Sequence, residues 1–440
     1  MADKTDAAGE AAAPALPTRT KTFLGPLEGL RGLAACGVVA VHVATLTGDA
    51  ATGWNGVYES NWLARALQPF EVAVPFFCVM AGLLLYRQFV GMALHGQKMQ
   101  AVGPYLWRRA LRVVPLYWVV VAFALVFCNA GRLDTVGQWV RPFLFLQIYA
   151  TGEFGSADLP YGLVPTWTLA SEMVYYLLLP PMALVLAWAA TKVRGDVAAR
   201  AKVVLAGLSL LILVNIGWAT WVHLPGTSPW PMQWYWLPNI IGYFAAGMMI
   251  ATLISWAEAD PQRVPRLYRI GQRRPAALWL VALGAFVLLA IPALVGKDPN
   301  TMTYPTVLQS LNQFLLNLIC AGSVVLAVVV TRRRHRFLSS GPLVFGGRLS
   351  YGIYLWHEVV LMSVYFGAEL DPGTGNFALM YLLVLGISVV LSIATYYGVE
   401  RPSAKLRPLL GKASATHKVA DAPEIGIDRD SPPAKPVIAS

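Results

Sequence analysis

The segment LEGLRGLAACGVVAVHVATL, residues 27–46, decides the fold class of this chain. It is almost entirely apolar and has the length of about 20 residues that a helix needs to cross a bilayer. It nevertheless carries Arg31 and His42, and a charged side chain such as arginine at mid-membrane costs about 2.5–3.5 kcal/mol on insertion scales. The segment therefore predicts a membrane-spanning helix with two side chains that need protein or water, rather than lipid, around them.

The composition extends this prediction to the rest of the chain. Of the 440 residues, 57% are hydrophobic and 13% are charged, whereas about 25% of the residues in ordinary globular domains are charged. Apolar runs of spanning length recur as far as residue 398. We therefore predict an all-α polytopic membrane helix bundle over residues 23–412, flanked by disordered polar tails at 1–22 and 413–440.

The number and direction of the spans follow from the basic residues. Ten apolar runs cover approximately residues 26–47, 68–88, 107–129, 166–190, 203–222, 235–254, 277–295, 306–330, 343–366 and 376–398. With both termini in the cytoplasm, every Lys/Arg cluster falls on the cytoplasmic side, as the positive-inside rule requires. The net charge of +11 is thus explained by membrane topology, and we expect no nucleic-acid partner. The first tail lacks the apolar core of a signal peptide, so we expect the first span to direct insertion into the cell inner (plasma) membrane.

One further apolar piece, around residues 140–150, is too short to cross. If it did cross, all later loops would change sides and the charge distribution would be violated. We expect a re-entrant or interfacial segment on the outer side. Irregular chain at membrane depth occurs only where it is buried in protein or lines a wet cavity, so this segment is a candidate wall of a substrate cavity.

Arg31 and His42 lie on one face of the first span, because eleven residues complete just over three helical turns and rise about 16 Å. The orientation places Arg31 near the cytoplasmic end and His42 toward the outer half. Glu172 in the fourth span is predicted at the depth of His42, where a carboxylate fixes the tautomer of an imidazole and makes it a competent general base. The alternative is a structural ion pair that only fixes helix packing.

The third span opens with three arginines, Arg108, Arg109 and Arg112, spaced by three and four residues. They predict a cationic face at the cytoplasmic mouth, and arginine forks suit phosphate oxygens. The alternative is that they only mark topology and contact lipid headgroups. In the ninth span, Tyr351, Tyr354 and His357 form a polar stripe, for which hydrogen bonding within the bundle is the alternative to a substrate site.

The sequence shows no metal-ligand cluster. The only close pairing of a histidine with an acid is His357 with Glu358, and adjacent residues on a helix do not face one another. Neither a phosphate-binding P-loop nor a glycine-rich dinucleotide fingerprint is present.

Six short motifs follow one another over residues 24–402. They are Arg31 followed by ten residues and His42, Val74 to Leu84 with Gly82, Arg108-Arg109-Ala-Leu-Arg112-Val-Val-Pro115-Leu-Tyr117, Trp167-Thr-Leu-Ala-Ser-Glu172 with Tyr175-Tyr176, Ser350-Tyr351-Gly-Ile-Tyr354-Leu-Trp-His357, and Val399-Glu400-Arg401-Pro402. In these motifs and their order the chain resembles the acyltransferase-3 family of integral-membrane acyltransferases. It departs from the family pattern at Glu28, where aspartate is usual, and at Ala81 and Thr168, where serine is usual. We expect a membrane domain without the hydrolase-like domain that some relatives append.

The resemblance implies transfer of an acyl group, often acetyl, from acyl-coenzyme A to a hydroxyl of a glycan or lipid, with no metal. It implies catalytic roles for His42, Glu172 and Arg31, with Arg31 holding a donor phosphate or pairing with Glu28 or Glu400. The residues expected to bind the donor are Arg108, Arg109, Arg112 and Tyr117. Those expected to bind the acceptor are Trp167, Tyr175, Tyr351 and His357.

Two other classes of protein remain open at this level. Intramembrane His, Glu and Arg also occur in proton-coupled transporters or flippases, although the internal repeat common in transporters is not evident. A scaffold would have no reason to place such residues at membrane depth. Envelope saccharides, glycolipids, mycolate-type lipids and macrolide-like products are all open as acceptors.

Overall fold

The computed structural model describes residues 24–47, 62–149, 159–224, 232–296, 305–331, 335–371 and 373–410. The two predicted tails lie outside these residues, as do Trp230 and the arginines at 332–334. The described residues form helices joined by turns and loops and contain no strand. The predicted all-α bundle is therefore confirmed.

Sixteen α-helices make up the described part of the chain. They are α1 (Leu24–Leu46), α2 (Trp62–Leu67), α3 (Ala73–Tyr86), α4 (Val90–His95), α5 (Val102–Phe123), α6 (Val136–Phe143), α7 (Trp167–Thr191), α8 (Val197–Val222), α9 (Ile241–Ala259), α10 (Arg266–Arg273), α11 (Pro275–Leu289), α12 (Pro292–Val295), α13 (Val307–Val330), α14 (Gly341–Gly367), α15 (Phe377–Thr395) and α16 (Arg401–Ala404). Each of the ten predicted spans corresponds to one long helix or to a closely spaced group of them.

Among the described residues, eight helical stretches are long and apolar enough to cross a membrane, and the pair α10–α11, bent by 100°, would make nine. The remaining predicted span is α14, which has 27 residues but is not one of the eight. From Leu349 to Met362 every residue of α14 except Tyr351 is buried. A helix enclosed by protein in this way has no lipid-facing surface and can therefore carry polar side chains.

Helices α1 and α14 pack backbone against backbone. A Cβ on Gly347 would lie 1.9 Å from the carbonyl oxygen of Glu28, and one on Gly32 would lie 3.0 Å from the amide nitrogen of Gly347. Small residues allow helices in membranes to approach this closely. Farther along, the Tyr365 hydroxyl donates to the carbonyl oxygen of Leu46 over 2.8 Å. The two helices therefore run parallel from end to end.

The segment predicted to be re-entrant does not cross. It consists of the eight-residue helix α6, a turn and a single 3-10 turn at Gln147–Tyr149. The Tyr117 hydroxyl donates to the carbonyl of Pro142 over 2.8 Å, and the Trp236 indole donates to the carbonyl of Ile148 over 2.9 Å. These bonds satisfy irregular backbone inside the protein, as non-helical chain at this depth requires.

The start of α7 also lies inside the protein. Leu163, Pro165 and Thr166 are buried, and a Cβ on Gly162 would contact Val359 of α14. The Thr168 hydroxyl lies 2.7 Å from that of Tyr354. Helix α7 thus begins well below the outer end of α14, and this sets the depth of every residue that follows it.

Candidate active site

A cluster of three ionisable side chains lies between α1 and α14. We call His42, His357 and Glu358 the histidine cluster. The Nε2 atom of His357 lies 3.1 Å from Nδ1 of His42, and the two ring centroids are 4.9 Å apart. His357 and Glu358 are buried and His42 is partly exposed, so His42 is the member that another molecule can reach.

The hydrogen bonds of the histidine cluster determine its tautomers. Nδ1 of His357 lies 3.2 Å from the carbonyl of Ile353, and Nδ1 of His42 lies 3.0 Å from the carbonyl of Val38. A carbonyl only accepts, so both Nδ1 atoms carry the proton. In neutral His357, Nε2 is then an acceptor, and His42 shares its Nδ1–H between that nitrogen and Val38. The Nε2 atom of neutral His42 consequently has a free lone pair, as a general base requires.

Glu358 places a buried carboxyl group beside His42. Ligand atoms of His42, His357 and Glu358 all lie within 4.8 Å of one another. The Oε2 atom of Glu358 is buried without a hydrogen-bond partner in the described part of the chain. Because an unpaired buried carboxylate is costly, a proton or cation arriving at His42 would be stabilised there.

The histidine cluster corrects the expectation that the chain has no set of metal ligands. Two imidazoles and a carboxylate are a donor set known for zinc. His357 and Glu358 are neighbours on one helix and do not face one another. Both nevertheless flank a third residue, His42, that comes from another helix.

A second cluster lies toward the cytoplasmic end, where Arg31, Arg109 and Arg112 surround Glu172. We call these four residues the arginine cluster. Glu172 is under the electrostatic influence of all three arginines, and its Oε1 accepts a 2.5 Å hydrogen bond from the Tyr176 hydroxyl. A guanidinium nitrogen of Arg31 lies 3.7 Å from Glu28, which is one of the two pairings predicted for Arg31.

Glu172 therefore does not lie beside His42, where the sequence predicted it. The predicted depth of Glu172 assumes that the fourth span begins at the outer membrane surface, whereas α7 begins inside the protein. Thr168 of α7 contacts Tyr354 of α14, and Tyr354 lies about one turn on the cytoplasmic side of His357. Glu172 follows Thr168 by four residues and therefore lies about one further turn toward the cytoplasm. At 1.5 Å per residue, Glu172 is about 10 Å below the histidine cluster. The residues that the structure places beside His42 are His357 and Glu358.

The residues predicted to bind the donor separate into three environments. Arg109 and Arg112 belong to the arginine cluster. Arg108 is partly exposed and, within the described chain, forms no ion pair. Tyr117 instead faces the outer segment, where its ring stacks on Phe145 at 4.1 Å. Tyr117 lies five residues, more than one helical turn, beyond Arg112, so the structure places it beside the outer segment and away from the arginine cluster.

The residues predicted to bind the acceptor are also divided. Trp167 lies at the start of α7, with its ring 5.0 Å from that of Tyr235, and is partly exposed. Tyr175 is fully buried and stacks on Phe244 at 4.0 Å. Tyr351 donates to the carbonyl of Val113 over 2.7 Å. Tyr175 and Tyr351 thus hold helices together. Of the other two residues, Trp167 lies at the start of α7 and His357 belongs to the histidine cluster.

Glu358 is the residue that sequence reasoning missed. A carboxylate inside a spanning helix is itself a functional signal, and this signal was present in the sequence. The polar stripe of Tyr351, Tyr354 and His357 has a spacing of three residues, and this spacing excludes position 358.

Comparison with known proteins adds a family to this geometry. A family model described as "Acyltransferase domain" matches residues 26–397. The O-acetyltransferase OatA of Staphylococcus aureus strain NCTC 8325 is 20% identical over 396 residues, which are 87% of this chain and 57% of that protein. The peptidoglycan O-acetyltransferase OatA of Listeria monocytogenes is 24% identical over 354 residues, 78% of this chain and 50% of that protein. The putative membrane-bound transacylase BcsY of Komagataeibacter xylinus is 24% identical over 387 residues, 85% of this chain and 81% of that protein. The chain thus spans little more than half the length of the two OatA proteins.

Proposed function

The chain belongs to this acyltransferase family, and from that premise we propose that it transfers an acyl group, acetyl in the first instance, from cytoplasmic acyl-coenzyme A to a hydroxyl of an envelope saccharide or lipid. The observation that carries the proposal is the hydrogen-bond chain of the histidine cluster. This chain of bonds leaves the Nε2 lone pair of His42 free. His42 is also the member of the cluster that is not fully buried.

In the proposed reaction, Nε2 of His42 takes the proton from the acceptor hydroxyl. The hydroxyl oxygen attacks the thioester carbonyl, the C–S bond breaks, and the coenzyme A thiolate receives the proton back from His42. The products are the O-acyl ester and free coenzyme A. Glu358 would stabilise the imidazolium of His42 while it holds the proton. If the acyl group passes first to His42, the same Nε2 atom is the nucleophile.

The arginine cluster would hold the anionic part of the donor. Within the described residues, no hydrogen bond or ion pair engages the guanidinium groups of Arg109 and Arg112, so their N–H donors are free for phosphate oxygens. Arg31 and His42 are separated by about 16 Å along α1, and the flexible pantetheine arm of the donor would cover this interval. A cytoplasmic donor and an envelope acceptor are consistent with location in the inner membrane.

The acceptor is proposed from the relatives. The Listeria protein is named a peptidoglycan O-acetyltransferase, which supports a saccharide hydroxyl here. The partly exposed Trp167 would offer a sugar ring a stacking surface near the histidine cluster.

Thiol release from acetyl-coenzyme A by the purified protein in lipid nanodiscs tests this proposal. We expect release that accelerates when an envelope glycan acceptor is added, and His42→Ala should abolish it. His223→Ala is the matched control, because His223 makes the same bond to the carbonyl four residues before it, over 2.6 Å, but lies directly after the end of α8. Proton flux without thiol release would instead favour the transporter or flippase alternative.

A further inference from the structure

A cavity of about 810 Å³ opens where α15 ends beside α5. We call it the C-terminal cavity. Its lining residues are Leu111, Arg112, Tyr396, Tyr397, Glu400, Arg401, Pro402, Ala404, Lys405 and Arg407. The positive-inside rule puts this end of α15 on the cytoplasmic side.

A π-helical turn lies at the cavity. Helix α15 passes into a π-helical turn at Tyr396–Glu400, and α16 follows with a proline in its first turn. Such π-turns widen a helix locally and occur frequently at functional sites. The chain beyond this turn is held against α5, because the Trp107 indole donates to the carbonyl of Leu406 over 3.1 Å.

The lining combines three kinds of chemistry. Its cations are Arg112, Arg401, Lys405 and Arg407. Its aromatic rings are Tyr396 and Tyr397, whose centroids are 5.2 Å apart. Its acceptor is Glu400, which is only 8% exposed and whose two carboxylate oxygens are buried without a hydrogen-bond partner among the described residues.

We propose that the C-terminal cavity binds the adenosine 3′,5′-diphosphate head of the donor coenzyme. The cations would contact the phosphates, a tyrosine ring would stack on the base, and Glu400 would accept from the amino group of the base or a ribose hydroxyl. Phosphate alone would leave Glu400 unpaired, and this is the reason that a nucleoside phosphate fits better than a lipid headgroup phosphate. The inference rests on the proposed function only for the identity of the molecule to which the head belongs.

Arg112 connects this cavity to the arginine cluster. It lines the cavity, and it is the largest electrostatic partner of Glu400, followed by Arg31. With the nucleotide head of the donor in the cavity, the phosphates of the coenzyme would lie beside Arg112. Its pantetheine arm would be directed toward Arg31. The cavity thus adds a head-recognition site, built from the C-terminal segment, to the donor route.

Binding and kinetics with truncated donors test this inference. The protein in phosphatidylcholine nanodiscs should bind adenosine 3′,5′-diphosphate by calorimetry. The double variant Lys405→Gln/Arg407→Gln should weaken this binding at least about tenfold, because each phosphate contact is a charge-assisted hydrogen bond. It should raise KM for acetyl-coenzyme A by a similar factor, leave kcat within about twofold, and leave turnover of S-acetylpantetheine unchanged.

Glu400→Gln keeps the shape of the side chain and tests the acceptor separately. It should weaken binding of adenosine 3′,5′-diphosphate several-fold without changing that of inorganic pyrophosphate. The matched control is Lys202→Gln/Arg269→Gln, which removes two cations from another surface cavity, lined also by Asp196 and Arg263. That control should change neither binding nor KM.

Three outcomes would overturn the inference. One is unchanged nucleotide binding in the Lys405/Arg407 variant, and another is an equal loss with S-acetylpantetheine. The third is a response of the wild type to anionic phosphatidylglycerol but not to the nucleotide, which would make the cavity a lipid site. Wild-type nucleotide binding that depends on Lys405 and Arg407, without thiol release under any condition, would support the cavity and refute the proposed acyl transfer.

Discussion

The histidine cluster and the arginine cluster both lie where α1 meets other helices, yet they differ in how their polar groups are used. In the histidine cluster both Nδ1 atoms are bonded to carbonyls of their own helices, and Nε2 of His42 keeps a free lone pair. The arginine cluster carries permanent charges, and the guanidinium groups of Arg109 and Arg112 donate no hydrogen bond within the described chain. The comparison teaches that one site is suited to moving a proton and the other to holding a fixed anion.

The largest expected effect comes from separating the helices that carry both clusters. In Gly347→Ala the new Cβ would lie 1.9 Å from the Glu28 carbonyl oxygen, so α1 and α14 must move apart. We expect loss of most folded protein, measured as recovery from size-exclusion chromatography and as thermal unfolding. Gly386→Ala on α15, where a Cβ meets nothing within 4 Å, should be tolerated. Normal recovery of Gly347→Ala would show that α1 is positioned by other contacts.

The next effect concerns the histidine cluster alone. Glu358→Gln removes the charge that would stabilise protonated His42 while keeping the side-chain volume. We expect kcat to fall by about 100-fold, within the range of general acid–base contributions, with donor KM nearly unchanged. Glu172→Gln is the comparison, and it should act mainly on donor KM. If Glu172→Gln lowered kcat more than Glu358→Gln did, the assignment of the carboxylates to the two clusters would be reversed.

A smaller effect is expected in the arginine cluster. Arg112→Ala should raise KM for acyl-coenzyme A about tenfold or more, since a charge-assisted hydrogen bond contributes about 1.5–3 kcal/mol, while kcat changes little. Arg108→Ala should leave KM within about twofold, because Arg108 lies outside the cluster. Initial rates over a range of donor concentrations check both variants. Equal effects of the two would favour a topological role for all three arginines.

The smallest effect is expected from removal of metal. If the histidine cluster moves a proton, dialysis against a chelator should leave turnover unchanged, and the purified protein should contain less than one equivalent of zinc by mass spectrometry. Stoichiometric zinc that His42→Ala eliminates, together with activity restored by added zinc, would make this cluster a metal centre.

Sequence patterns predicted the features that depend on a single helix. The common face of Arg31 and His42, the contact of Arg31 with Glu28 and the non-crossing segment near 140–150 all follow from helical period and length. The partner of His42 could not be predicted in this way. It depends on how deep the chain before α7 enters the protein and on which helix packs against α1. Neither is a local property, and Glu172 was therefore assigned to the wrong cluster.

The parallel packing of α1 and α14 also restricts which insertions and deletions these two helices can accept. Gly32 precedes His42 by ten residues, and Gly347 precedes His357 by ten, so the two close contacts lie at the same interval on both helices. One residue inserted into either interval would turn its histidine by about 100° and separate the pair. A deletion would do the same in the opposite sense. Insertions and deletions here are tolerable only in matched pairs, whereas most side chains between the glycines and the histidines are free to be exchanged for others of similar volume.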